Sequence, residues 1–263
     1  MRRTFLAATS VLLAAAVVLA IPQRAAPAAG DDALTPVIVE LFTSQGCSSC
    51  PPADDLLRSL ERNQPVNGAQ VIVLSEHVDY WNRLGWKDPY SSGQFSSRQR
   101  VYVEALGAEH MYTPMMVVDG RTAFVGSRPI TAREAIVAAR KAPKATLAIE
   151  ATGLAEGTIR IDGVVEQVPP TTEAPDVWVA VTESPITTAI TRGENASRTL
   201  TYTGVVRSLT WLGSLPRPTR ASYAVEGRVR LRSTWRREHL RLVVFLQEPT
   251  GRRILGATQL ALG

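Results

Sequence analysis

The chain has 263 residues, 45% apolar and 20% charged, which is enough to bury a sizeable core and contains no internal repeat or low-complexity tract. Its formal charge of +5 falls to +2 once Arg2, Arg3 and Arg24 of the N-terminal segment are set aside, so composition gives no nucleic-acid or anionic-membrane signal. Only two cysteines are present, Cys47 and Cys50, which excludes a scaffold stapled by several disulfides.

Residues 1–29 read as a signal peptide. Met1-Arg2-Arg3-Thr4-Phe5-Leu6 supplies a basic region, an Ala/Val/Leu run continues to Ile21, and Ala26-Pro27-Ala28-Ala29-Gly30 offers a small-residue cleavage site. The apolar run is shorter than the roughly 20 residues of a membrane span, so no stable span is expected in the mature chain. Arg2-Arg3 also resembles a twin-arginine export signal, and either route delivers the protein to the periplasm or the exterior. Outside the cytoplasm a disulfide persists, and no other cysteine is available for structural bridging.

Val37 to Phe42 is an apolar, β-branched run that predicts a buried strand, with Glu40 as its one charge. Thr43-Ser44-Gln45-Gly46 is a loop, and Pro51-Pro52-Ala53-Asp54-Asp55-Leu56-Leu57 opens a helix. Cys47-Ser48-Ser49-Cys50 therefore lies at a strand-to-helix junction, where free amides and the helix dipole favour a thiolate. Two thiols at this spacing form a dithiol/disulfide switch. Cys47 is expected to be the exposed nucleophile capping the helix, and Cys50 the shielded, resolving thiol inside the first turn.

Val71 to Leu74 predicts a second strand whose polar end carries His77 and Asp79, placing His77 as a proton carrier or as a structural hydrogen-bonding group. Tyr80 to Phe95 holds five of the sixteen aromatic residues and reads as an ordered excursion that walls a groove or forms a local core. A helix is expected over residues 97–106, stopped by Gly107. Pro114 opens a strand that turns at Asp119-Gly120 into Thr122 to Val125, and a last helix starts with Thr131 as N-cap and Glu134 in the capping-box position.

This order of elements resembles the thioredoxin superfamily. The resemblance implies that Pro114 is a cis proline beside the disulfide and that Glu40 stands near the place of the buried carboxylate that relays a proton to the inner thiol. Phe42 through Asp54, His77-Val78-Asp79-Tyr80-Trp81, Gly85 through Pro89 and Tyr112-Thr113-Pro114 look more closely still like a secreted bacterial thioredoxin-like family, domain of unknown function 1223. That likeness implies a fold and a compartment and brings no activity with it.

From residue 144 onward the chain turns to extended segments, at residues 145–150, 158–165, 177–183, 198–206, 225–232 and 240–247, separated by Gly, Pro and Asn. The expected class is α/β: a thioredoxin-like domain over residues 34–143, followed by a β-rich, sandwich-like domain over 144–263 or sheets that extend the first. Trp178 and Trp211 are expected to anchor its core. Arg192-Gly193-Glu194-Asn195 is a turn, and Asn195-Ala196-Ser197 formally matches a glycosylation sequon that the bacterial character of the leader discounts.

Three functions follow. The first is a thiol-disulfide oxidoreductase of the cell envelope, with Cys47, Cys50, Pro114 and either Glu40 or His77 at its site and protein or small-molecule thiols and disulfides as partners. The second is a copper-handling protein using the thiolates, His77 or His110, and Met111, Met115 and Met116, although adjacent strand residues face opposite ways. The third is a binding module in which the disulfide rests. No cofactor is expected, and the scattered histidines give no ligand set for structural zinc.

Overall fold

A computed structural model describes residues 34–153, 157–217 and 222–263; the signal-peptide reading lies outside them. The described residues make a mixed, β-rich α/β fold of thirteen strands and three α-helices. In order they are β1 (Thr35–Thr43), α1 (Pro51–Asn63), β2 (Ala69–His77), α2 (Gly93–Ala105), β3 (Met115–Val118), β4 (Thr122–Val125) and α3 (Pro129–Ala139). Then follow β5 (Thr146–Gly153), β6 (Thr158–Glu166), β7 (Asp176–Glu183), β8 (Ile186–Ile190), β9 (Arg198–Tyr202), β10 (Val205–Ser214), β11 (Ser222–Arg230), β12 (Leu240–Gln247) and β13 (Ile254–Ala261).

One eight-stranded sheet, in the order β13-β12-β7-β10-β2-β1-β3-β4, runs through the molecule. β1 pairs in parallel with β2 and antiparallel with β3, so the first half contributes β2-β1-β3-β4. The second half extends this sheet from β2 outward and also folds the three-stranded sheet β5-β6-β11 against β7 and β12. Leu34–Gly263 is accordingly one compact unit, with no break at residue 144. The seam is narrow: β10 meets β2 at Val205 and Ser75, and the Ser75 amide donates to Gly204 O at 2.8 Å. Gly204 has φ +57° and lies so close to β2 that a Cβ would sit 2.6 Å from Val73 O, a contact only glycine allows.

The alternation of β1 sorts the layers. Val37, Val39 and Leu41 face α1 and α3, where Ala53, Leu57, Leu60, Ala132 and Ile136 recur at helical spacing. Ile38 and Phe42 face the opposite side, towards α2 and the strands of the second half. Pro51 and Pro52 open α1, where a missing amide costs no helical bond. Truncating fully buried Leu57 to Ala would cost about 2–5 kcal/mol.

Three expectations shift. α2 begins at Gly93 and not at residue 97, with Ser92 Oγ accepting the Gln94 amide at its start; its buried face includes Arg98 and Gln99 as well as Phe95 and Tyr102. α3 begins at Pro129, which fixes the helical φ two residues ahead of Thr131. Trp211 is 54% exposed on β10 with its indole donating to Asp176, and Trp235 sits in the second-half core instead.

Candidate functional site

Cys47 and Cys50 are joined as a disulfide, with Cα atoms 5.4 Å apart. Successive turns bring them together: the Cys47 amide donates to Ser44 O and the Cys50 amide to Cys47 O, each at 3.2 Å. Cys50 is the N-cap of α1, and its carbonyl accepts the amides of Ala53 and Asp54 at 2.8 and 3.1 Å. Cys47 thus lies ahead of the helix and does not cap it.

Nor is Cys47 exposed. Both cysteines have zero accessible surface, while Ser48 and Ser49 between them are open to solvent. The turn between β8 and β9 docks on the backbone of the cysteine loop: Asn195 Nδ2 donates to Gln45 O at 3.0 Å and to Cys47 O at 2.9 Å. Glu194 Oε2 accepts the Ser48 amide at 3.0 Å, and hydrogen bonding from the Ser48 side chain and amide holds the Glu194 pKa below the usual carboxylate range. Asn195 is itself fully buried. A pattern of Gly, Asn and charge signalled a turn here, but nothing local in the sequence tells where that turn docks.

One turn into α1 from the disulfide begins a buried acid-base cluster. Asp54, one turn beyond Cys50, is buried with no well-aligned hydrogen-bond partner on either carboxylate oxygen. Burial pushes its pKa up to about 7 against the opposing influence of His77 and of Thr43, whose hydroxyl lies close by. His77 Nδ1 is 2.7 Å from Asp88 Oδ2, and its Nε2 has no partner. Burial disfavours the charged ring, but Asp88 and Asp54 outweigh it and raise the His77 pKa. Asp88 is held low despite burial by His77 and by the amides of Gln45 (2.8 Å) and Tyr90 (2.9 Å). Asp88 makes the aromatic excursion part of this site, and Trp86 Nε1 adds a bond to Gln45 Oε1 at 2.9 Å.

Thr113-Pro114 is a cis peptide. Pro114 is buried beside the first turn of α1: a Cβ on Gly126 would lie 3.2 Å from Ala53 Cβ and 3.4 Å from Pro114 Cβ. Trp81 links the same segment to the cysteine loop, donating to Thr113 Oγ at 2.8 Å while its Cβ bounds Gly46.

Glu40 is elsewhere. It points to the α2 side of the sheet, opposite α1, and is held by Arg98 Nε at 2.6 Å and by the hydroxyl of Tyr102. Arg98 is also 3.3 Å from Glu76, whose pKa burial raises well above the carboxylate range with Glu40 adding to the effect. Gln247 on β12 reaches Tyr102 at 2.7 Å and accepts from Arg252 at 2.8 Å, so the network ties α2, β1 and β12. The charge in β1 is explained by a buried ion network across the two halves, on the wrong face to serve the thiols. Met115 and Met116 are both fully buried on opposite faces of β3, in separate cores. Among the described residues no group of three or more His, Cys, Asp and Glu side chains is placed to hold a metal ion.

The sequence family described as Protein of unknown function (DUF1223) matches residues 38–247. The chain belongs to this family. A comparison of the DUF1223 chain with curated proteins finds no match. Among solved structures it is similar to protein AGR_C_4864 from Agrobacterium tumefaciens, at 27% identity and a TM-score of 0.67 over 89% of this chain and 97% of that one. HBP35 of Porphyromonas gingivalis shares the fold at 14% identity, with a TM-score of 0.65 over 88% of this chain and 76% of that one. Among the described residues no helix is long and apolar enough to cross a membrane.

Proposed function

We propose that this DUF1223 protein is an extracytoplasmic thiol-disulfide oxidoreductase whose working couple is Cys47/Cys50. The observation that carries the reading is the pairing of its two lone cysteines at the entry to α1, with the buried Asp54-His77-Asp88 cluster beginning one turn into that helix. A buried acid with a raised pKa one helical turn from a redox pair suits proton transfer to and from a thiol. The strand order β2-β1-β3-β4 with α1 and α3 on one face and α2 on the other, together with a cis proline near Ala53, supports a thioredoxin-like first half. The placement outside the cytoplasm rests on the leader anatomy of residues 1–29.

In the reduced protein the Cys47 thiolate attacks one sulfur of a partner disulfide, and the partner's other sulfur leaves and takes a proton. Cys50 then gives its proton to Asp54 and attacks Cys47 Sγ, releasing the partner's second thiolate, which is protonated in turn. Two electrons pass from the Cys47/Cys50 dithiol to the partner, and the reverse sequence oxidises it. Asp54, with a pKa of about 7, can both accept and return the proton near neutrality. His77 keeps the cluster polarised through Asp88. Partners are thiols and disulfides of the cell envelope.

A binding module with its disulfide at rest draws on the complete burial of Cys47. The two readings separate on trapping. Cys50→Ser expressed in an exporting host is expected to collect mixed disulfides through Cys47, visible on non-reducing gels and absent from Cys47→Ser. Absence of mixed disulfides from Cys50→Ser would leave the binding module in front.

A further inference from the structure

We infer that residues 193–198 form a strap that closes the redox pair, and that release of this strap is the step that admits a reductant or partner to Cys47. The inference rests on the oxidoreductase reading and adds a gate to that same site. Thiol-disulfide exchange needs an attacking sulfur to reach a disulfide sulfur in line, and a cysteine with no accessible surface offers no such approach. Something must move, and the segment whose buried side chain holds the Cys47 carbonyl is the one we assign.

The strap is a tight turn joining β8 and β9, which pair only with each other as a two-stranded sheet. Its own bonds, Ala196 N to Gly193 O at 3.1 Å, Ser197 N to Ile190 O at 2.9 Å and Arg198 N to Asn195 O at 3.2 Å, close it without help from the cysteine loop. It can therefore lift as a unit. Every residue from 194 to 198 is exposed except Asn195, whose burial is the latch: one side-chain amide bonds the carbonyls of both Gln45 and Cys47. Arg198 Nη1 donates to Asn195 Oδ1 at 2.9 Å and fixes which end of the amide faces the loop. The carboxylate of Glu194 on the Ser48 amide is the second attachment.

Opening costs the two Asn195 bonds and the bonding of Glu194 to Ser48, each regained in part from water. That places the open state in the range of local fluctuations and well short of global unfolding. Gly193 allows the close seat. Its φ is +77°, and a Cβ there would stand 3.0 Å from Trp86 Cβ, so an alanine would push the strap off the aromatic excursion while leaving every hydrogen-bonding side chain in place.

The test uses the full oxidised chain and dithiothreitol, which reduces Cys47–Cys50 by two electrons and becomes its cyclic disulfide. Thiols are counted by quenched alkylation and mass measurement. In the wild type the rate is expected to level off as dithiothreitol rises, because opening limits it. Asn195→Ala and Gly193→Ala are each expected to be reduced at least ~10-fold faster, which is about 1.4 kcal/mol of lost closure. Rates within twofold of wild type in both variants, with melting curves that show them folded, would overturn the gate. If either variant fails to fold, hydrogen exchange at the wild-type Ser48 amide decides: protection is expected, and exchange at the rate of a free amide would refute the strap. Because dithiothreitol is not a physiological partner, the outcomes stay apart. Faster reduction of the variants without turnover of any protein disulfide keeps the gate and discards the oxidoreductase, and equal turnover by all three proteins does the reverse.

Discussion

Replacing Asp54 by asparagine removes a buried acid whose cost the structure allows to be sized. The unfolded chain ionises this group near its ordinary value of 3.8, whereas the folded protein holds its proton until about pH 7. A pKa raised on folding gives stability that is complete below pH 3.8 and is lost as pH rises to about 7. The gap, at about 1.36 kcal/mol per pH unit, amounts to roughly 4 kcal/mol. A neutral amide carries no such penalty, so Asp54→Asn is expected to match the wild type within about 1 kcal/mol near pH 4 and to exceed it by up to about 4 kcal/mol at pH 8. His77, also raised, adds a decline above pH 6.5 that is smaller in Asp54→Asn, because the Asp54 charge contributes to the His77 shift. Urea unfolding of the oxidised proteins at several pH values measures the difference. Curves that stay parallel from pH 4 to pH 8 would mean that Asp54 is charged or well solvated in the folded state, and the reasoning about its role would fail. The same variant is expected to slow thiol-disulfide exchange, so stability gained and activity lost would go together.

Arg98→Met leaves Glu40 and Glu76 buried without their cation and is expected to cost about 3–5 kcal/mol, a fall in Tm of roughly 10 °C by calorimetry. Glu40→Gln is expected to lower stability while leaving the pH dependence of thiol alkylation at Cys47 and Cys50 unchanged; a shifted profile would restore Glu40 as a relay. The exported protein is expected to begin at or just after Ala29, and an intact mass retaining residues 1–28 would favour an anchor.

What the sequence revealed was what local chemistry decides. Apolar runs, the two prolines after Cys50 and Asp119-Gly120 located β1, α1 and the β3-β4 turn because each acts within a few residues. The start of α2 lies four residues ahead of the expected one because its first turn opens on a glycine, and Ser92 marks the start only through its side-chain bond to the Gln94 amide. Glu40 was assigned to the thiols by position in the chain, and the two-residue period of β1 turned it to the other face. Asp88, Asn195 and the role of Asp54 depend on contacts across 11 to 150 residues, such as His77 with Asp88 and Asn195 with Gln45, which no spacing rule reports. β8 and β13 are absent from the sequence reading, and residues 198–206, read as one extended segment, divide into β9 and the start of β10.

The most direct measurement of the central claim is the redox equilibrium of the Cys47/Cys50 couple. The purified protein, equilibrated for long times in glutathione or dithiothreitol buffers of graded potential and quenched by alkylation, is expected to titrate as a single reversible two-electron couple, approached equally from the oxidised and reduced sides. A pair that stays oxidised in every buffer while the protein remains folded, or that is reduced only on unfolding, would contradict a working redox couple and make the disulfide structural.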